Sequence, residues 1–287
     1  MYRSMLYVPA SSQRFIEKAS TRGADAIILD LEDSVAPDEK LPAREKLDAS
    51  VRQVSSAGAA TLIRINRPLT LALGDVQAAV RSGADGILIT KVEGPEHVRL
   101  VIEVAEDEER RIGRSNPLSV ITVIESPAAV LKAREIATAH PRVAGMLAGG
   151  EDLATTLDAE ASAETLRFSK LLIHMAAKAA GIPSYGTLGT VADFADVDLI
   201  RALAAEARRH GFDGATCVHP SIVPILNEGF TPSAAAVQHA TGLLAAAEAA
   251  RREGKGAATY QGKMIDEPVY ERARRLLARA DRFKGKN

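Results

Sequence analysis

The sequence predicts an α/β fold, a parallel (β/α)8 TIM barrel with a C-terminal helical extension. Three observations carry this. Short continuous apolar runs rich in β-branched residues recur eight times, a longer segment of helical character follows each of them, and five of the helical segments end in a glycine just before the next run. Continuous rather than alternating apolar runs belong to parallel strands covered on both faces. A glycine at a helix end supplies the left-handed C-cap. Eight strand–helix units in a chain of this length are the arithmetic of the barrel.

The expected strands lie at residues 5–8, 26–31, 61–66, 86–92, 119–125, 144–148, 183–187 and 215–218. Helices are expected at 13–22, 42–57, 75–82, 95–110, 128–139, 163–180 and 197–210, with Gly23, Gly58, Gly83, Gly181 and Gly211 as the terminating glycines. A doubly wound open sheet is the competing fold, but the loop after the first strand, P-A-S-S at 9–12, has no Gly-rich dinucleotide fingerprint. Beyond Pro224 the pattern changes to an Ala-rich helix at 232–252, a flexible linker at 253–262 and a charged amphipathic helix at 267–283. The expected organisation is a barrel with a metal site over 1–228 and a helical extension over 229–287. That extension is surplus to the barrel, so it packs on it, covers its mouth or reaches a neighbouring subunit.

Among 287 residues, 46% are hydrophobic and 25% charged, an ordinary globular composition without a disorder signature. The net charge of -1 gives no electrostatic footprint for nucleic acid or an anionic membrane, and leaves room for a local basic site that binds a small anion. With Cys217 alone, no internal disulfide forms. No secretory h-region opens the chain, and no apolar run reaches the roughly 20 residues of a membrane span. A cytoplasmic protein is expected.

In a barrel, polar residues at the C-terminal ends of the strands line the active site. Here they are Asp30, Glu32 and Asp33 after the second strand, Arg64 and Asn66 at the third, Lys91 at the fourth, Glu125 at the fifth, Glu151 and Asp152 after the sixth, and His219 after the eighth. So many carboxylates at one mouth repel each other unless a cation sits among them. Oxygen ligands without a Cys/His cluster suit Mg2+, with Mn2+ as an alternative, better than zinc. Glu125 and Asp152 end adjacent strands, so both reach one ion. The structural alternatives are an N-cap or first-turn carboxylate before Pro127 for Glu125, and a helix cap after Gly149-Gly150 for Asp152.

Arg64 interrupts the apolar strand T-L-I-R-I-N. Facing the mouth costs it less than facing the surrounding helices, and there it grips a carboxylate or oxyanion, pairs with Asp30, Glu32 or Asp33, or does both. The D-L-E-D cluster reads as support for Arg64 or for metal-bound water rather than as direct ligands. Ser11, Arg14 and Lys18 follow the first strand and are candidates for phosphate binding; a solvated first helix turn explains them nearly as well. His219 reads as a strand-end histidine and Cys217 as core packing.

Motifs along nearly the whole chain carry a resemblance. They are R-S-M-L-Y-V-P (3–9), D-L-E-D-S-V-A-P (30–37), R-I-N (64–66), K-V-E (91–93), the Glu125 segment, G-G-E-D-L-A (149–154), G-F-D-G-A-T-C-V-H-P (211–220) and G-K-M-I-D-E-P (262–268). In order and spacing the chain resembles the citrate lyase β-subunit-like proteins, a branch of the acyl-CoA lyases and hydroxy-diacid aldolases that includes malyl-CoA and citramalyl-CoA lyases. The resemblance implies that Glu125 and Asp152 ligate Mg2+ and that Arg64 binds substrate; Glu125 is expected to contact substrate as well, and Arg14 and Lys18, from their place after the first strand, are the candidates for the phosphates of coenzyme A. The resemblance also implies that Asp266 is the catalytic acid/base, delivered by the C-terminal segment of a neighbouring subunit in a homotrimer or homohexamer. The sequence departs from the family pattern at Thr90, where the family often has Pro, at Val269, where it has His, and at Gly186, where it commonly has Asp.

The activity so implied is a Mg-dependent carbon–carbon lyase that cleaves or forms a β-hydroxyacyl-CoA such as citramalyl-, malyl- or citryl-CoA, giving acetyl-CoA and a 2-oxoacid. Two alternatives stand beside it. One is a metal-dependent aldolase for free 4-hydroxy-2-oxoacids; the other is the β subunit of a multi-subunit citrate lyase acting on an acyl carrier protein thioester.

Overall fold

Eight parallel strands form the central sheet: β1 Ser4–Pro9, β2 Ala26–Asp30, β3 Ala60–Ile65, β4 Gly86–Ile89, β5 Ser119–Ile124, β6 Val143–Ala148, β7 Ser184–Tyr185 and β8 Ala215–Cys217. Each pairs with its sequence neighbours from β1 to β7, and β8 returns to pair with β1. The ring closes between β7 and β8 through the bridge Tyr185↔Gly214 and the Gly186 N–H, which donates to the Gly214 carbonyl at 2.8 Å. With helices between the strands, this is the expected barrel. The computed structural model describes residues 1–189, 196–254 and 258–285. They divide into two units, Met1–Asn227 and Glu228–Asn287.

The strand period of two sorts the barrel interior into layers. Met5, Ala26, Ile28, Leu62, Leu88, Ile121, Val123, Leu147 and Tyr185 form one apolar cluster. Two residues further along their strands, Met5, Ile28, Leu62 and Val123 give way to Tyr7, Asp30, Arg64 and Glu125. The polar layer therefore sits on an apolar floor, which keeps it at the C-terminal mouth.

At the opposite end, the short pattern G-x-D recurs before three strands, at 23–25, 83–85 and 211–213. Each of these aspartates accepts a backbone N–H from a neighbouring strand or from the residue that leads into it. Asp25 takes that of Arg3 at 2.8 Å, Asp85 that of Thr61 at 2.7 Å, and Asp213 that of Ser184 at 2.9 Å. The buried Arg3 guanidinium also forks onto Asp25, at 3.0 and 2.9 Å. The glycine ends the helix and the aspartate staples the strand ends, which fixes the register that the mouth inherits.

Several elements differ in extent from the sequence reading. β4 ends at Ile89 rather than at residue 92, because Lys91 takes a left-handed conformation, φ +48°. The expected helix at 42–57 is broken into Lys40–Glu45 and Leu47–Val54, whereas the one at 75–82 begins earlier, as Leu69–Arg81 with Pro68 at its N-cap. The expected linker at 253–262 holds an antiparallel hairpin, β9 Ala258–Tyr260 and β10 Lys263–Ile265, while residues 255–257 of it lie outside the described residues. Gln261 and Gly262 turn the hairpin with φ +50° and +75°, the signature of a two-residue type I′ loop. In the second unit this hairpin packs with the helices Ala234–Arg252 and Glu267–Arg282 around Ala240, Leu243, Ala247, Ile265 and Ala273. Among the described residues no helix is long and apolar enough to cross a membrane.

Replacing Asp25 with Ala strips the buried Arg3 of its fork partner and frees a strand-end N–H, so urea unfolding should show a loss of about 3–5 kcal/mol. A loss under about 1 kcal/mol, the worth of a surface pair, would show that the staple contributes little.

Candidate active site

The parallel register of β2 and β3 sets Asp30 beside Arg64. Arg64 donates from Nε and Nη2 to the two Asp30 oxygens, both at 2.6 Å, and its Nη1 lies 2.9 Å from Glu32 Oε2. The guanidinium stands 5.0 Å from the centre of the Tyr7 ring, within cation–π range. Burial would raise the Asp30 carboxyl, but the hydrogen bonds and charge of Arg64 outweigh it and hold Asp30 below the usual carboxylate range. Lys91 Nζ pairs with Glu32 and lies 3.4 Å from Asp33. Glu32 is pushed up by burial and partly drawn back by Lys91 and Arg64.

The D-L-E-D carboxylates are thus matched by side-chain cations. This agrees with the reading of that cluster as support for Arg64, which pairs with Asp30, Glu32 and Asp33. Glu125 and Asp152 differ: among the described residues, neither carboxylate has an ion pair. Glu125 is 6% exposed and accepts a hydrogen bond from the Lys91 backbone N–H. The left-handed turn at Lys91, rare for a residue with a side chain, points that N–H at the carboxylate while its ammonium reaches Glu32. Burial, with the charges of Asp152 and Glu32 added, raises the Glu125 carboxyl to about 8.

The capping alternatives for the two residues do not match the local geometry. Ser126, not Glu125, caps the helix Pro127–Leu131, accepting the Ala129 N–H at 3.2 Å. The helix Gly150–Thr156 has Gly149 as its N-cap, and Asp152 stands in its first turn without capping. A Cβ at Gly149 would lie 2.4 Å from Cγ and Oε1 of Glu125. The G-G of the motif therefore clears the space that the Glu125 side chain occupies.

These groups line a cavity of about 410 Å3 at the mouth, together with Tyr7, Asp30, Asp33 and Arg64. A divalent ion fits the chemistry of the pair. The donors are oxygens, one is buried and raised by its neighbours' charges, and a cation between them reverses that penalty. No three His, Cys, Asp or Glu side chains form a closed cage among the described residues. Glu125 and Asp152 would accordingly leave ligand positions for substrate and water, which is how Mg2+ is held.

The model of the HpcH/HpaI aldolase/citrate lyase family matches residues 3–220. The chain belongs to this family. It is 37% identical over 283 residues to a (3S)-malyl-CoA thioesterase of Cereibacter sphaeroides, covering 98% of this chain and 95% of that protein. To the citrate lyase subunit beta of Escherichia coli it is 34% identical, covering 97% and 93%. Among solved structures, CitE of Mycobacterium tuberculosis, in complex with magnesium, acetoacetate and coenzyme A, superposes with a TM-score of 0.76 at 30% identity over 97% of each chain.

The remaining residues singled out in this HpcH/HpaI family member are dispersed. Arg14 and Lys18 are exposed on the helix Gln13–Ala19 and lie outside the cavity wall. The His219 ring bonds the Ser221 hydroxyl at 2.7 Å and caps the turn Pro220–Ile222. Cys217 is buried, and burial pushes its thiol up to about 12. Asp266, in the second unit, caps the helix Glu267–Arg282 by accepting the Val269 N–H at 3.0 Å. Lys170 lines the cavity and was missed. Its signal was present: with Leu166, Ile173, His174 and Ala177 it lies on the buried stripe of the helix Ala163–Ala179, an unusual place for a lysine.

The raised Glu125 carboxyl fixes the sign of a pH effect. Its contribution to stability is complete below the unfolded value of 4.5 and is lost as pH rises through about 8. Metal-free protein should therefore lose stability across that window, and Glu125→Gln should flatten the decline. Calorimetric melting at pH 8 should show Mg2+ raising the midpoint of the wild type but not of Glu125→Gln; equal shifts in both would remove Glu125 from the metal site.

Proposed function

We propose that this HpcH/HpaI family member is a Mg-dependent carbon–carbon lyase acting on a β-hydroxyacyl-CoA of the citramalyl, malyl or citryl type, which it splits into acetyl-CoA and a 2-oxoacid or forms from them. One observation carries the reading. Glu125 and Asp152 line one cavity, neither of them ion-paired among the described residues, beside a guanidinium held rigid by Asp30. Glu125 and Asp152 would hold the ion, which supplies, when bound, a Lewis acid for the substrate hydroxyl and carboxylate oxygens.

The protein's own groups do the rest. Arg64, fixed on two sides by Asp30 and Glu32, presents positive charge where the hydroxyl oxygen becomes negative on losing its proton, before the carbon–carbon bond breaks. The Lys91 N–H keeps the Glu125 carboxylate oriented. The hydroxyl proton passes to water, the oxygen becomes the keto oxygen of the 2-oxoacid, and the bond electrons pass to the α-carbon of the thioester, which takes up a proton to become the acetyl methyl group. We assign that proton to Asp266, supplied by a neighbouring subunit of a homotrimer or homohexamer. As a cap it uses Oδ1 for Val269, and Oδ2 stands outside that bond. Arg14 and Lys18, solvent-facing cations, are assigned to the phosphates of coenzyme A.

Thioester hydrolysis is a second reading, favoured by the relatives named (3S)-malyl-CoA thioesterase. The products separate the two readings, since a lyase releases a 2-oxoacid and keeps the thioester, whereas a hydrolase releases a hydroxyacid and free thiol. Purified protein with Mg2+ should release 2-oxoacid from at least one of malyl-, citramalyl- or citryl-CoA. Thiol release alone would replace lyase by hydrolase; turnover of free 4-hydroxy-2-oxoacids alone would make it an aldolase. Silence until a carrier-protein thioester is supplied would make it a complex subunit.

Asp152→Ala should lower kcat/KM by about 100-fold or more with its unfolding curve unchanged, as loss of a metal ligand requires. Asp266→Ala should be as damaging. Oligomers formed from a mixture of the two inactive variants should regain roughly a quarter of the activity, because random assembly pairs an intact barrel with an intact neighbouring tail at that frequency. No recovery would refute the shared site.

A further inference from the structure

The cavity wall carries two cations, Arg64 and Lys170, and they are not equivalent. Arg64 is matched by Asp30 and Glu32. Lys170 is 7% exposed, and its ammonium donates to the Gly189 carbonyl at 2.6 Å; among the described residues it has no carboxylate in ion-pair range. Glu151 is near enough to favour its charge, while burial lowers it to about 8, so it remains mostly cationic at neutral pH.

A buried ammonium whose partner among the described residues is one carbonyl is costly, and a neutral donor would satisfy Gly189 equally well. Its position gives the charge a use. The helix Ala163–Ala179 follows β6, so Lys170 enters from the β6–β7 side, while Arg64 enters from β3. Glu125 and Asp152, after β5 and β6, stand between them in strand order. The wall on the Lys170 side is kept bare. Gly150 sits where a Cβ would come 3.4 Å from Nζ, and a Cβ built at Gly186 would meet nothing within 4 Å.

We infer that Lys170 is a specificity-determining residue, the binding group for a second substrate carboxylate, so that the site prefers acyl thioesters with two free carboxylates over those with one. This rests on the proposed function, in which the first carboxylate lies at the Glu125–Asp152 centre. Loss of a buried charge-assisted hydrogen bond is worth about tenfold in affinity or more.

The test is calorimetric binding, with saturating Mg2+ at pH 7, of malate and of 2-hydroxybutyrate, which has a methyl group in place of the second carboxylate. The wild type should prefer malate by about tenfold or more. Lys170→Gln, which keeps a donor for Gly189, and Lys170→Met should both reduce that preference to about twofold while leaving 2-hydroxybutyrate unchanged; Lys170→Arg should restore part of it. Equal binding of the two probes by the wild type, a preference that survives in Lys170→Gln, or a parallel loss of both probes would overturn the role of Lys170 alone. If the wild type bound neither probe, the proposed function would fall and the subsite with it.

Discussion

Charge at the barrel mouth is balanced on one side and left open on the other. Arg64 and Lys91 neutralise Asp30, Glu32 and Asp33, so that acidic cluster acts as a rigid mount for a guanidinium. Glu125, buried and lining the same cavity as Asp152, receives a backbone N–H from Lys91 and, among the described residues, no ion pair. In a low-dielectric setting two such carboxylates oppose each other's ionisation, and a divalent cation is the economical remedy. In the proposed function, the substrate oxygens, the fixed arginine and Lys170, held by the Gly189 carbonyl, are arranged around that ion.

The scaffold makes this asymmetry possible. Below the polar layer lies an apolar floor contributed by all of the first seven strands. At the far end the G-x-D staples fix strand ends through Asp25, Asp85 and Asp213. Because side chains alternate along a strand, a slip of one residue would turn Arg64 and Asp30 out of the mouth. Local devices finish the geometry: the left-handed turn at Lys91 and the bare Gly149 both serve the single carboxylate of Glu125.

Much of this was legible in the sequence, for definite physical reasons. Continuous β-branched runs and terminal glycines announce a parallel barrel, and polar residues at strand ends announce its mouth. The partners of Arg64 were legible as candidates, because in-register parallel strands bring Asp30 and Arg64 side by side. Other features depend on contacts that residue spacing does not report. The pairing of Lys91 with Glu32 spans 59 residues and needs a backbone conformation that no pattern signals. The hairpin at Ala258–Ile265 has strands of three residues each, too short for a periodicity. Lys170 was overlooked because a lysine in a helix is ordinarily a solvated residue, although its place on the apolar stripe said otherwise.

The central claim is that Glu125 and Asp152 share one divalent cation. Electron paramagnetic resonance of Mn2+ titrated into the metal-free protein reads this directly. A shared site binds one Mn2+ per chain, displaced by Mg2+, with affinity at least tenfold weaker in Asp152→Asn and in Glu125→Gln. Unaltered stoichiometry and affinity in the double variant would contradict it.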